Sequence, residues 1–119
     1  MGHLLVKIAT GPENPTRAAL GCLVARQALA DGHSVDVFFA GDGVDLLRPE
    51  TAELAQGIGT GRIAEHIAAL TAGGARLFAS GMSSKARGID ATIAGPAVTF
   101  ALPERLVELV FEAERVLVY

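Results

Sequence analysis

Cysteine is almost missing from this 119-residue chain. Cys22 is the only one, so no internal disulfide can form and the fold must hold by its core alone. The matching expectation is a reducing, cytoplasmic compartment. Tryptophan is absent, and acidic residues outnumber basic ones by 13 to 10. Binding nucleic acid needs a basic footprint for phosphates and aromatics for stacking bases, so no nucleic-acid partner is expected. No stretch approaches the roughly 18 uninterrupted apolar residues of a membrane span, so no membrane partner is expected either. The early apolar run Leu4-Leu5-Val6 is broken at once by Lys7. No apolar segment with a small-residue cleavage site follows, so a signal peptide is not expected.

Charge is also scarce. Only 19% of residues are charged while 50% are hydrophobic, and the mean hydropathy is +0.40. A domain this small has much surface for its volume, and monomers keep contiguous apolar patches to a few hundred Å². The surplus predicts a protein that self-associates.

The pattern along the chain is an alternation. Leu4 to Ala9 reads as a strand ended by Thr10-Gly11-Pro12. Asn14 as N-cap and Pro15 at the first helical position open a helix from about Thr16 to Asp31, which Gly32 stops. At about 100° per residue, Leu20, Leu23 and Val24 share one face of it, and Ala18, Cys22, Ala25 and Leu29 an opposite one. A helix apolar on two sides is expected to be covered on two sides. Ser34 to Ala40 is a second strand, punctuated by Gly41-Asp42-Gly43. A short helix around Glu50 to Gln56, a glycine loop from Gly57 to Gly61 and a helix from Arg62 to Ala72 follow, the last with Ile63, Ile67 and Leu70 inward.

Ala75 to Ser80 is the third strand, and 81 to 88 a polar loop or short helix. A short strand from Ala97 to Ala101, a helix from Glu104 to Ala113 opened by Pro103, and a strand from Arg115 to Tyr119 complete the chain. On that last helix Val107 and Phe111 widen the apolar stripe of Leu106, Leu109, Val110 and Ala113 to an arc of about 200°, twice what one buried face needs. Strands alternating with helices imply βαβ units. The expected fold is one α/β domain over residues 1–119, three-layer α/β/α, with a mostly parallel sheet of about five strands.

In such sheets ligands bind beyond the carboxyl ends of the strands, where helix N-termini point outward. That rule selects Thr10 to Thr16, Gly41 to Gly43, Ser80 to Gly88 and the turn after Ala101. The densest polar chemistry lies in Ser80-Gly81-Met82-Ser83-Ser84-Lys85-Ala86-Arg87-Gly88, with three hydroxyls and two cations. Gly57-x-Gly59-x-Gly61-Arg62 is not a dinucleotide fingerprint, because Arg62 occupies the last glycine position and a helix precedes it. No phosphate-binding P-loop motif occurs, and no cofactor is expected. His3, His33 and His66 have no partner at metal-ligand spacing, so no metal is expected. Cys22, among Ala18, Ala25 and Leu29, reads as a buried, inert thiol.

Five segments resemble a known family. Gly11-Pro12-Glu13-Asn14-Pro15-Thr16-Arg17-Ala18-Ala19-Leu20-Gly21, followed by Ala30-Asp31-Gly32-His33-Ser34-Val35, is similar to the first βαβ unit of the DsrE/DsrF-like family, of the DsrEFH superfamily. Phe39-Ala40-Gly41-Asp42-Gly43-Val44, Ser83-Ser84-Lys85-Ala86-Arg87-Gly88-Ile89 and Glu112-Ala113-Glu114-Arg115-Val116-Leu117-Val118 resemble its later segments in the same order. The resemblance implies a three-layer domain, a homo-oligomer (trimer or hexamer) or a hetero-hexamer, and a link to intracellular sulfur transfer. Relay members carry a persulfide-forming cysteine eight residues before the glycine that matches Gly88. Counting back from Gly88 lands on Ser80.

A hydroxyl cannot hold a persulfide. The resemblance therefore implies a non-relay binding or accessory member, with a pocket for a small anionic ligand formed by Asn14, Ser80, Gly81, Ser83, Ser84, Lys85 and Arg87. The alternatives are a sulfur carrier using Cys22, a structural subunit assembled with a cysteine-bearing paralogue, or contact with a sulfur-relay partner protein. A hydrolase built on Ser80 lacks a base, since no His–Asp pair is evident in the sequence.

Overall fold

The computed structural model describes all residues from Met1 to Tyr119. The strongest apolar runs become the central strands. β1 (His3–Ile8), β2 (Ser34–Phe39), β5 (Arg76–Ser80), β6 (Val98–Ala101) and β7 (Arg115–Val118) form one sheet in the order β6-β5-β2-β1-β7, and every neighbouring pair is parallel. Because side chains alternate along a strand, the sheet has two distinct faces.

The first face carries Val6, Ile8, Val35, Val37, Phe39, Leu77 and Ala79 into the larger core cluster. It is covered by α1 (Pro15–Ala30), a 3-10 helix (Gly41–Leu47), α2 (Pro49–Leu54) and α3 (Ile63–Ala72). α1 begins where Asn14 Oδ1 accepts the Arg17 N–H at 3.1 Å. It turns its small residues inward: Ala18, Ala19, Gly21, Cys22 and Ala25 are buried, so the helix lies close to the sheet. Gly21 shows how close, since a Cβ there would stand 3.1 Å from both Ile8 and the Tyr119 ring. Leu20 and Leu23 stay exposed. The sheet covers one of its two apolar sides, and Leu20 and Leu23 mark the other.

The second face carries Leu5, Phe38, Phe78 and Ala101, packed on Leu109 of α6 (Pro103–Glu112). One ten-residue helix covers this face of a five-stranded sheet. On α6 and β7, Val107, Val116, Leu117 and Val118 are exposed, and Phe111 is 85% exposed. Part of the apolar surplus read from composition thus sits on α6 and β7, with further exposed side chains at Leu54, Ile58 and Met82.

One segment differs from the sequence reading. Gly57 to Gly61 is not a plain loop, because β3 (Gln56–Gly57) and β4 (Gly61–Arg62) pair antiparallel as a small hairpin. The hairpin docks on α1 through the Ile58 N–H, which donates to Thr16 Oγ1 at 3.0 Å. The polar stretch after β5 is α4 (Gly81–Ala86), and a further turn, α5 (Ala91–Ala94), follows with Asp90 as N-cap. No helix is long and apolar enough to cross a membrane.

Candidate functional site

Ser80 ends β5, at the carboxyl edge of the sheet, and serves as the N-cap of α4. Its Oγ accepts the Ser83 N–H at 3.1 Å, and the residue is half-buried. Ser83 in turn ties this strand end to the next, since its Oγ accepts the Gly41 N–H at 2.9 Å. The turn at Gly41 to Gly43 is pressed against β1. A Cβ on Gly43 would sit 2.2 Å from the Ile8 carbonyl oxygen, so only glycine fits. Three strand ends are thereby held together by backbone packing and one serine.

Arg87 supplies order rather than free charge. Its guanidinium donates to Asp42 Oδ1 at 2.9 Å and to the Ser83 carbonyl at 3.1 Å, and its Nε stands 3.7 Å from Asp45. Arg48 donates to the Arg87 carbonyl and lies 3.6 Å from Asp45. Two cations meet two carboxylates, so the cluster is close to neutral. Lys85 makes no ion pair and is exposed.

Beside α4 lies a cleft of about 470 Å³ lined by Gly81, Ser84, Lys85, Ile89, Asp90 and Phe100, among others. Ser84 is only 1% exposed, and its Oγ has no hydrogen-bond partner. A buried hydroxyl without a partner costs free energy, and a ligand acceptor or donor in the cleft would recover it.

Of the residues singled out from sequence, Gly81, Ser84 and Lys85 line this cleft. Ser80 and Ser83 form the hydrogen-bonded chain next to it. Arg87 faces the 3-10 helix carboxylates. Asn14 caps its own helix and makes no hydrogen bond to any of the others. The purely cationic pocket gives way to a cleft with one free cation, Lys85, and one carboxylate, Asp90. Ile89, Asp90 and Phe100 were not anticipated. Asp90 two residues after Gly88 was the available signal, as the cap of a helix.

Cys22 is fully buried. Burial pushes its thiol from 9.0 up to about 12, although Arg26 pulls the other way. At neutral pH roughly one molecule in 10⁵ would carry the thiolate that attacks sulfur. The histidines engage elsewhere. His66 is buried, with Nε2 2.7 Å from the Thr60 carbonyl and Nδ1 3.1 Å from Arg26. No group of three or more His, Cys, Asp or Glu lies close enough to hold a metal ion.

Solved structures share the architecture. The chain superposes on the YchN protein from E. coli with a TM-score of 0.77 at 20% identity, covering 100% of both chains. It matches MTH1491 from Methanobacterium thermoautotrophicum, described as a protein of unknown function, with a TM-score of 0.78 at 18% identity and full coverage of both. It also matches the conserved protein of unknown function BT1422 from Bacteroides thetaiotaomicron, with a TM-score of 0.76 at 16% identity, covering 99% of this chain and 95% of that one. No curated protein matches the sequence. The model of the DsrE/DsrF-like family matches residues 3–119, nearly the whole chain, and with that match and this fold the chain belongs to the DsrE/DsrF-like family.

Proposed function

We propose that this chain is a non-relay member of the family: a cytoplasmic, homo-oligomeric binding or accessory protein of intracellular sulfur metabolism. One observation carries the reading. The side chain at the carboxyl end of β5 is the hydroxyl of Ser80, already used as a helix cap, and the single thiol of the chain is sealed in the core. Neither can accept sulfane sulfur as a persulfide at neutral pH.

The ligand would enter the cleft beside α4. Phe100 and Ile89 offer an apolar wall, Ser84 an unpaired hydroxyl and Lys85 a free ammonium. A small molecule with an apolar body and one anionic end suits that set. The uncovered apolar surface of α6 and β7 supports assembly into a trimer or hexamer. It equally suits a cysteine-bearing paralogue, which makes the structural-subunit reading the second one.

Intact-mass measurement after incubation with a persulfide donor tests the proposal. The native chain should gain no sulfur. Ser80→Cys, which places a thiol at a helix N-terminus, should gain one sulfur atom per chain. An adduct on the native chain, lost in Cys22→Ser, would refute the reading.

A further inference from the structure

At the opposite end of the sheet, three side chains form a chain of hydrogen bonds that the site at Ser80 does not use. Ser34 Oγ lies 2.6 Å from His3 Nδ1, and His3 Nε2 lies 2.9 Å from Asp36 Oδ2. β1 supplies the histidine and β2 the serine and the aspartate. The parallel register pairs His3 with Ser34, and the pleat puts Asp36, two residues on, on the same face. Asp36 is fully buried, and Arg76 fixes its carboxylate from two nitrogens, at 2.7 Å on Oδ1 and 2.8 Å on Oδ2.

The proton positions follow from who can donate. An ionised carboxylate only accepts, so His3 Nε2 carries a hydrogen, and in the neutral ring, the form that can act as a base, Nδ1 presents its lone pair. The Ser34 hydroxyl then donates to Nδ1. Its only other acceptor, the Gly2 carbonyl, is 3.4 Å away and loses on distance. The result is a serine hydroxyl bonded to a neutral imidazole whose far nitrogen is oriented by a buried carboxylate, which is the arrangement that activates serine. Ser34 is exposed, and His3 lines a cleft of about 420 Å³ that also holds His33, Glu114 and Arg115.

We propose that Ser34, with His3 as its general base and Asp36 as the residue that positions His3, is a nucleophile for small activated esters. In the first step Ser34 Oγ bonds to the ester carbonyl carbon while its proton passes to His3 Nδ1. The bond to the leaving alcohol breaks, and His3 returns the proton to that alcohol. Water then attacks the acyl-serine by the same route, releasing the carboxylic acid and restoring the hydroxyl. General-base assistance contributes about 10²–10⁴-fold. Arg76 shares the Asp36 charge, so the gain belongs near the lower end, about 100-fold over an unassisted serine.

The test is acylation of the native protein by p-nitrophenyl acetate, with peptide mapping to locate the acetyl group and circular dichroism to check that each variant is folded. Acetyl should map to Ser34, vanish in Ser34→Ala and slow about 100-fold in His3→Gln. Free imidazole added to His3→Ala should restore part of the rate, which a merely structural histidine would not allow. Acetyl found only on lysines or on other serines would overturn the proposal, and so would a Ser34 rate unchanged in His3→Gln. None of these outcomes depends on the cleft beside α4.

Discussion

Raising the pH toward the range in which Cys22 ionises should destabilise this protein, and the size of the effect can be worked out. Burial raises the thiol from 9.0 to about 12. A group whose folded value is raised gives stability that is complete below its unfolded value and is lost as pH climbs toward the folded value. The window here is therefore about pH 9 to 12. At about pH 10.5 the unfolded thiol is ionised and must be reprotonated to fold. That costs about 1.36 kcal/mol for each of roughly 1.5 units, or ~2 kcal/mol. The ceiling, above pH 12, is ~4 kcal/mol. Lysines and Tyr119 titrate in the same range, so the effect is read as a difference. Urea unfolding of native protein and Cys22→Ala, each at pH 7.5 and about pH 10.5, isolates it. Losing the sulfur adds a cavity cost of about 1 kcal/mol that does not change with pH. The native protein should lose ~2 kcal/mol more than the variant between the two conditions. Equal losses would mean that the thiol ionises inside the fold, and the argument against a Cys22 carrier would fall with it.

The other expectations are shorter. Ser84→Ala removes a buried hydroxyl that has no partner. Its unfolding free energy should stay within about 0.5 kcal/mol of native or rise, while affinity for small carboxylates measured by titration calorimetry should fall. A loss of 2 kcal/mol or more would mean that Ser84 is paired in solution. Phe111→Glu places a charge in the exposed apolar surface of α6; light scattering should give the native protein the mass of a trimer or hexamer and the variant a mass nearer the monomer, and a native monomer would remove the assembly claim. Ser80→Ala deletes the α4 cap and should cost about 1 kcal/mol in urea unfolding, where no change would show that the cap is not formed.

What the sequence reveals follows from the range of the interactions involved. α1 is legible because its start and stop are local: Asn14 caps the Arg17 N–H, Pro15 follows, and Gly32 at φ +90° ends the run. The parallel sheet is legible because its strands are apolar and separated by helices. The hairpin at Gln56 to Arg62 is not, since two-residue strands leave no periodicity and its anchor is Thr16, far back in the chain. The same limit applies to the site. Lys85 and Arg87 read alike in sequence, yet Asp42 and Asp45, more than forty residues earlier, take up the charge of Arg87 and leave Lys85 free. His3 and Asp36 meet across 33 positions. That pair is not legible in the sequence, because only the register of β1 on β2 brings the two together.

The proposal that this chain accepts no sulfur is tested most directly by counting cyanide-labile sulfur on the native chain after exposure to a persulfide donor and desalting. A chain that carries Ser80 at the strand end and a sealed Cys22 should hold none. About one labile sulfur per chain, retained through gel filtration of folded protein, would show that this member of the family does carry sulfur.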